Sequence, residues 1–376
     1  MQRLHEYSEL FRKTGPWCTI YTDASTGTVD TLRAGELRPD HIGETLKNAG
    51  ASKADVETAK GIDWQVDGAK SPICRYVVIR DGRVELDEVL PGTPVGLEQS
   101  SVGAIPDLLP LVKHRGQEIP YVVAEVDRAG GEIRLHHADK RLEDTSDVAG
   151  STENLKKVPT GGWSQGQYQH RTQEIWRRNA DEVAGAIDKI AAASRARLLI
   201  VSGDIRARDL VVNQLSDGSR AIASVVDSHT RTAGADPAMM KKAVEQRVAE
   251  IIAHRQHDLL ERLAVQQGRP NPLSATGVGE VVHALQQAQV ETLLLNDSAL
   301  LDHSLLALDS EPWLATDAGE ALHAGVLGKA SAPAAILRAV AMTDAEVVLV
   351  PSGALPGGVE VAALLRWPTG PAVPAG

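Results

Sequence analysis

The sequence of 376 residues is long enough for two or three domains that each bury a core of their own. Its net charge of −11 argues against a protein that coats nucleic acid along its length, although a local basic patch can still contact RNA. Hydrophobic residues make up 43% of the chain, but no apolar run reaches the roughly 18–20 residues that span a bilayer, so we expect a cytoplasmic protein.

The first predicted domain, residues 1–145, combines helices with antiparallel strands in an α+β fold. Two hairpins are predicted, the first around Asp81-Gly82, a dipeptide suited to a type I′ turn. Their strands are 75–80 with 83–90, and 121–127 with 132–137. A helix is predicted over 32–48, and its inner positions are Leu37, Ile42 and Leu46.

The two cysteines, Cys18 and Cys74, lie beside apolar residues that are typical of strands. This setting indicates buried, reduced thiols rather than a disulfide. The sequence offers no metal-ligand spacing, so we expect neither a metal nor another cofactor.

The middle predicted domain, residues 146–272, opens with a glycine-rich stretch. Residues 156–168 read Lys-Lys-Val-Pro-Thr-Gly-Gly-Trp-Ser-Gln-Gly-Gln-Tyr, with four Gly and Pro residues between Pro159 and Gly166. This composition disfavours helix and strand and predicts an exposed, mobile loop. The net charge from Leu155 to Arg178 is +4. A positive, exposed loop on an acidic body is typical of a tip that meets phosphates.

The rest of the middle domain alternates helices and strands. An amphipathic helix of roughly 20 residues or more follows the loop, because apolar residues recur at steps of three, four and seven. The segment Leu198–Ser202 is uniformly apolar, which predicts a strand covered on both faces. Further elements are a helix over 205–215, a strand over 221–226 and a helix over 237–267. The order predicts an α/β layer structure, in which Asp204 and Asp227 are strand-end residues rather than nuclease ligands.

The last predicted domain, residues 273–376, is also α/β. Its predicted strands are 290–294 and 346–350, and a helix is predicted over 333–342. The segment 300–328 is poorly periodic and is predicted to be an insertion of helix and loop.

Two segments carry a family resemblance. Thr160-Gly161-Gly162-Trp163-Ser164, followed by an Arg-rich helix, resembles the Gly-Gly-Gln loop of the archaeal and eukaryotic peptide-chain release factors and of the related Pelota proteins. Val-Glu-Thr-Leu-Leu at 290–294 resembles a strand of the third domain of that family. The codon-reading Asn-Ile-Lys-Ser motif of the release factors is absent from the sequence. The resemblance therefore points to the Pelota-like branch and to bacterial homologues that include ribosome hibernation factors.

The resemblance implies three domains, of which the middle one is RNase H-like and the last is an α/β sandwich like that of a ribosomal protein. It implies a monomer that binds the bacterial ribosome in the A site, with the loop near the peptidyl-transferase centre. In relatives the third domain binds a translational GTPase, and elongation factor Tu is the bacterial counterpart that we expect.

Trp163 stands where the family has its glutamine. A glutamine side chain carries both an acceptor and donors, whereas indole offers one donor, no acceptor and a large apolar plate. The ring suits stacking on a base better than placing a water molecule at an ester. We therefore expect a protein that is not an enzyme and has no catalytic residues. The predicted rRNA-binding residues are Lys156, Lys157, Gly161, Gly162, Trp163, Ser164, Gln165, Gln167, Arg171, Arg177 and Arg178.

Three hypotheses stay open on the sequence. The first is a ribosome-binding factor that protects idle or stalled ribosomes without hydrolysing peptidyl-tRNA. The second is a rescue or release-type hydrolase in which Gln165 or Gln167 replaces the missing glutamine. The third is an interaction protein that works away from the ribosome, and it predicts no salt-sensitive ribosome binding.

Overall fold

The computed structural model describes residues 2–26, 29–66, 71–116, 119–136, 144–149, 163–226, 237–296, 298 and 300–368. The chain forms two compact units. We call residues 118–253 the middle unit, and residues 1–117 together with 254–376 the terminal unit. Across the described ranges, every helix is either too short or too polar to cross a membrane.

The N-terminal part of the terminal unit is built around a four-stranded antiparallel sheet in the order β4-β3-β2-β5. Its elements are β1 (Gln2–Arg3), α1 (Ser8–Phe11), β2 (Trp17–Asp23), α2 (Val29–Asn48), α3 (Lys53–Gly61), β3 (Ile73–Arg80), β4 (Arg83–Pro91), β5 (Gln99–Gly103) and α4 (Leu109–Arg115). Asp81 and Gly82 join β3 to β4 with φ values of 50° and 71°. Two positive φ angles define a type I′ turn, which confirms the predicted hairpin.

Helices α2 and α3 cover one face of this sheet. Ile42 and Leu46 of α2 are buried against the sheet, as predicted. The prediction for Leu37 is wrong, because its side chain is 66% exposed. Cys18 and Cys74 are free and buried, as their apolar neighbours indicated.

The middle unit is an α/β layer structure with a five-stranded sheet in the order β10-β9-β6-β7-β8. Its elements are β6 (Tyr121–Asp127), β7 (Gly130–His136), β8 (Asp144–Ala149), α5 (Trp163–Ser194), β9 (Leu198–Gly203), α6 (Ile205–Gln214), α7 (Asp217–Ala221), β10 (Ala223–Val225) and α8 (Pro237–Gln267), the last continuing into the terminal unit. Strands β6, β9 and β10 are parallel, and β7 is antiparallel to its two neighbours. This is the RNase H-like arrangement that the resemblance implies.

Two apolar layers sandwich β9, the fully buried strand predicted at 198–202. Val201 faces α5 and α6, and Ile200 faces Val244 of α8. A parallel strand covered by helices on both faces needs apolar residues at every position, which explains its continuous hydrophobic run.

The hairpin of β6 and β7 differs from its sequence-based assignment. Its pattern groups it with the first domain, but β6 pairs in parallel with β9 of the middle unit. A hairpin pattern is local, and it does not reveal which distant strand pairs with the hairpin. The three-domain division with boundaries at 145 and 272 stays a prediction.

The C-terminal part of the terminal unit is an α/β sandwich around the sheet β1-β16-β12-β17-β11. Its elements are β11 (Ser274–Thr276), α9 (Gly277–Gln286), β12 (Val290–Asn296), β13 (Ser304–Leu308), β14 (Leu314–Ala315), β15 (Val326–Ser331), α10 (Ala332–Met342), β16 (Glu346–Val350) and β17 (Val361–Leu365). Helices α9 and α10 pack on one face, and Leu259 and Leu263 of α8 pack on the other. The prediction of helix and loop over 300–328 is wrong, because β13, β14 and β15 form a small sheet there.

The chain's first residues belong to this C-terminal sandwich. Strand β1 pairs with β16, and Tyr7 and Phe11 are buried in the same hydrophobic core as α10. Arg338 of α10 is 1% exposed and donates to the backbone carbonyls of Trp313, at 2.8 Å, and Phe11, at 3.4 Å. The N-terminal and C-terminal segments thus share one core.

Candidate functional site

Helix α5 begins at Trp163 and runs for 32 residues. Of the predicted site, Lys156, Lys157, Gly161 and Gly162 lie outside the described residues. Trp163, Ser164, Gln165 and Gln167 occupy the first two turns of α5, and Arg171 occupies the third, with no side-chain description for any of the five.

The loop prediction is wrong from Trp163 onward, because the helix starts there. Gly166 is the residue in this stretch that most disfavours a helix, at a cost of about 1 kcal/mol relative to alanine. The long helix that follows outweighs this cost, because each added residue gains a backbone hydrogen bond once a helix has been nucleated.

One face of α5 holds the helix to the sheet. Ala180, Val183, Ala184 and Ile187 are buried in the core of the middle unit. Positions 171, 178 and 189 fall on the opposite side of the helix, since successive residues turn by about 100°. The predicted basic residue Arg178 therefore lies on the face that points away from the sheet, and its side chain is exposed.

Arg177 and Arg178 are the two predicted site residues whose side chains are described, and both are exposed. Arg178 pairs with Glu182 across 3.4 Å, and the two side chains are 80% and 46% exposed. An ion pair at this exposure contributes little, so Glu182 does not prevent Arg178 from meeting another anion.

Charge is distributed unevenly along α5. Its N-terminal half, 163–178, carries three arginines against one glutamate. Its C-terminal half, 179–194, carries three acidic residues against Lys189. The N-terminus of a helix also bears a partial positive charge. The end of α5 that leads into the Gly-Gly-Trp stretch is therefore the electropositive end, which suits phosphate groups.

The sequence did not reveal a group of contacts that joins α5 to the ends of two strands. The guanidinium of Arg128, in the turn between β6 and β7, lies 4.7 Å from the centre of the Trp176 ring on α5. The same guanidinium pairs with Asp204, after β9, at 3.3 Å. Asn179 of α5 donates its side-chain N–H to the backbone carbonyl of Arg128 at 3.0 Å.

Asp204 has a second role as the N-cap of α6. Its carboxylate accepts the backbone N–H groups of Arg206 and Ala207, each at 3.1 Å. Burial raises the pKa of Asp204, but the Ala207 N–H and Arg128 lower it by more, so the net pKa lies below its usual value. The carboxylate therefore stays ionised at neutral pH and keeps its pair with Arg128.

The sequence contained only part of the signal for these contacts. Asp204 was predicted as a strand-end residue, and this is confirmed by its capping position. Arg128 and Trp176 are far apart along the chain, and neither forms a motif with its neighbours. Within the described ranges, no three His, Cys, Asp or Glu residues are grouped so that they could hold a metal ion.

Comparison with known proteins finds a family model that matches part of the chain, and two similar proteins. Residues 120–269 match the model of bacterial archaeo-eukaryotic release factor family 2. Two proteins of Mycobacterium tuberculosis are similar over three quarters of the chain. These are the uncharacterized proteins MT2704 (strain CDC 1551 / Oshkosh) and Rv2629 (strain ATCC 25618 / H37Rv), each 23% identical over 289 residues, or 75% of this chain and 75% of the relative.

Solved structures with some likeness include two archaeal Pelota proteins and a translation termination-like factor of yeast. Pelota of Archaeoglobus fulgidus is 18% identical over 80% of this chain and 81% of its own, with a TM-score of 0.34. An archaeal Pelota bound to the ribosome with ABCE1 is 15% identical over 97% and 94%, with a TM-score of 0.43. Dom34 of S. cerevisiae is 9% identical over 81% and 84%, with a TM-score of 0.38.

The segment that matches the family model coincides with the elements of the middle unit and the whole of α8. It begins at β6 and ends just past α8, so it covers the sheet of the middle unit and all of α5. It also contains the Gly-Gly-Trp stretch that carried the resemblance in the sequence. The match over residues 120–269 confirms the resemblance to the release factor family that was expected from the sequence.

Proposed function

We propose that the protein is a cytoplasmic translation factor that occupies the A site of idle or stalled bacterial ribosomes and protects them without hydrolysing peptidyl-tRNA. The observation that carries the proposal is the electropositive N-terminal half of α5, which follows the Gly-Gly-Trp stretch within the segment that matches the release factor family. In this proposal residues 161–163 lie near the peptidyl-transferase centre, and the basic residues of the site contact rRNA phosphates.

The absence of hydrolysis in this proposal rests on Trp163. Hydrolysis of the peptidyl-tRNA ester requires a positioned water molecule and donors for the developing oxyanion. Indole has no acceptor with which to hold that water. Stacking of the ring on an rRNA base would contribute about 1–3 kcal/mol to binding instead.

The C-terminal part of the terminal unit suits a protein partner better than RNA. Residues 254–376 contain 6 Lys and Arg against 13 Asp and Glu, a balance that repels phosphates. We propose that the protein is a monomer and that its partner is elongation factor Tu, which it contacts through this part of the terminal unit.

Co-sedimentation of the purified protein with vacant bacterial ribosomes over a salt series tests the proposal. We expect saturable binding that weakens steeply with salt and is reduced when Gly161, Gly162 and Trp163 are all changed to Ala. The double variant Arg177→Gln/Arg178→Gln should lower the slope of log K against log salt by about 0.7–0.9 for each phosphate that the variant no longer neutralises. The matched control Arg12→Gln/Lys53→Gln, which neutralises exposed cations of the terminal unit, should leave the slope unchanged. No binding at low salt would refute the proposal.

A peptidyl-tRNA release assay on the same ribosomes separates this function from the hydrolase alternative. We expect no release above background with the wild-type protein. Release that is lost in Gln165→Ala or Gln167→Ala would establish the hydrolase instead.

A further inference from the structure

We propose that Arg128 and Trp176 are positioning residues, which fix the direction of the N-terminal arm of α5, residues 163–175, relative to the sheet of the middle unit. For its role on the ribosome this inference rests on the proposed function, but the geometry that carries it lies within the middle unit alone. The arm ends at Trp163, so its direction sets where the Gly-Gly-Trp stretch is presented.

Arg128 joins three elements by different contacts. Its guanidinium stacks on Trp176 and pairs with Asp204, while its backbone carbonyl accepts from Asn179. The turn that holds Arg128 is itself fixed, because the Ala129 N–H donates to the Asp127 carboxylate at 2.7 Å. Asp204 is fixed by capping α6. Helix α5 is thereby held against the carboxyl ends of β6 and β9.

Because the contact between Arg128 and Trp176 lies far from the N-terminus of α5, a small tilt of the helix at this contact produces a large displacement at Trp163. The core beneath the helix includes Ala180 and residues beyond it, and Trp176 lies one turn closer to the N-terminus. Trp163 lies about 20 Å further along the helix axis. A tilt of about 10° at Trp176 would move Trp163 by about 3 Å, and displacements of this order are enough to misplace a group in a catalytic or binding centre.

The contacts indicate that Trp176 binds Arg128 through the face of its indole ring rather than through its N–H. The Trp176 Nε1 has no hydrogen-bond partner among the residues that the structure describes. A planar guanidinium also stacks on an aromatic ring in a way that an ammonium group does not. Trp176→Phe should therefore preserve the arm, whereas Trp176→Leu and Arg128→Leu should release it.

A distance measurement between two spin labels tests the inference without a ribosome. Labels are placed at Gln165→Cys, on the arm, and at Asp217→Cys, an exposed position on α7. The native Cys18 and Cys74 are buried in the terminal unit and should not take the label. We expect one narrow distance distribution in the otherwise unchanged protein, and a distribution that is broader or shifted by about 3 Å in Trp176→Leu and Arg128→Leu. Trp176→Phe should restore the narrow distribution, and the exposed neighbour control Arg206→Gln should not change it.

Three outcomes would overturn the inference: a broad distribution in the wild-type background, no change in folded Arg128→Leu and Trp176→Leu, or the same broadening in Trp176→Phe as in Trp176→Leu. If the leucine variants do not fold, Arg128→Lys is the deciding variant, because it keeps the charge beside Asp204 and removes the planar guanidinium from the Trp176 ring. A broader or shifted distance distribution in Arg128→Lys would support the inference, and an unchanged one would overturn it. Ribosome co-sedimentation of the wild-type protein, which keeps Gln165, separates the two proposals. A wild-type protein that does not bind ribosomes would refute the proposed function, whereas unchanged distances would refute only the positioning role.

Discussion

The middle unit and the terminal unit differ in charge and in the way the chain builds them. Residues 118–253 contain 19 Lys and Arg against 20 Asp and Glu, while the rest of the chain contains 20 against 30. The middle unit is one continuous segment, whereas the terminal unit joins both ends of the chain in a shared core. Nearly all of the overall charge of −11 therefore lies in the terminal unit, whereas the middle unit is nearly neutral and has an electropositive helix end.

Gly203 offers the largest perturbation that is confined to the middle unit. It ends β9 with a φ of +117°, and a Cβ there would lie 2.0 Å from the backbone oxygen of Val126. Since backbone cannot move aside as a side chain can, Gly203→Ala should cost about 3 kcal/mol or more. Hydrogen exchange should show the loss in β6 and β9, with α9 and α10 unchanged. Exchange that rises equally in α10 would mean that the two units do not unfold separately.

Gly185 is the matched control for that substitution. It lies on α5 with no atom within 4 Å of an added Cβ. Gly185→Ala should stabilise the middle unit by about 0.5–1 kcal/mol, because alanine loses less backbone entropy in a helix.

Arg338 offers the corresponding perturbation in the terminal unit. Arg338→Met would leave the Phe11 carbonyl without its buried donor and would remove one of the two donors of the Trp313 carbonyl, which also accepts the Leu308 N–H, and should cost about 2–3 kcal/mol. Exchange should increase in α1 and α10 and remain unchanged in β9. The control Arg262→Met removes a half-exposed pair with Glu291 and should cost less than about 0.5 kcal/mol. Equal losses in the two variants would contradict the role given to the buried guanidinium.

The terminal unit should also lose stability at mildly acidic pH through His114. Its Nδ1 lies 2.7 Å from the Tyr21 hydroxyl and its Nε2 lies 2.7 Å from the Pro91 carbonyl oxygen. Burial lowers the pKa of His114, Arg115 lowers it further, and the Pro91 carbonyl raises it in part. The unfolded chain therefore binds the proton first, and the stability present above a pH of about 6.5 is lost as the pH falls toward the folded pKa.

Urea denaturation at several pH values measures this effect. His114→Gln should reduce the dependence of stability on pH, and His323→Gln, at an exposed position, should retain it. Identical pH dependence in His114→Gln and wild type would show that other groups dominate acid unfolding.

The smallest expected effect is an absence of reaction at the two thiols. Burial is the main cause that raises the pKa of Cys18 and of Cys74 to about 12, so a maleimide should not label the native protein. Both thiols lie in the terminal unit, so labelling in increasing urea reports the opening of that unit alone. Gly203→Ala should leave the labelling midpoint unchanged, whereas Arg338→Met should lower it. Labelling of the native protein would contradict the buried setting of both cysteines.

Elements that depend on local chemistry could be predicted from the sequence. Asp81-Gly82 specifies its turn through two positive φ angles, and Pro237 begins α8 because a missing N–H does no harm in the first turn. The uninterrupted apolar run of β9 indicated its coverage on both faces. The motif at 160–164 and the helix after it predicted the release-factor resemblance that the family match over residues 120–269 confirms.

Features that depend on distant partners could not be predicted. The pattern of α2 placed Leu37 inside, but the sheet is contacted by Ile42 and Leu46, which leaves Leu37 exposed. The short strands of β13, β14 and β15 show little period because each contributes few residues. The contact of Arg128 with Trp176 joins a turn to a helix from another part of the chain, and residue spacing carries no signal for it.

The pairing of β1 with β16 has a consequence for the order in which the protein is made. The middle unit is complete in sequence once residue 253 has been synthesised, and a contiguous domain can fold as soon as it leaves the ribosome. Strand β1 must wait for Glu346 and Val347, so the terminal unit closes one of the longest loops that the chain allows. During synthesis, the electropositive helix end would therefore exist as a folded surface before the acidic unit is finished.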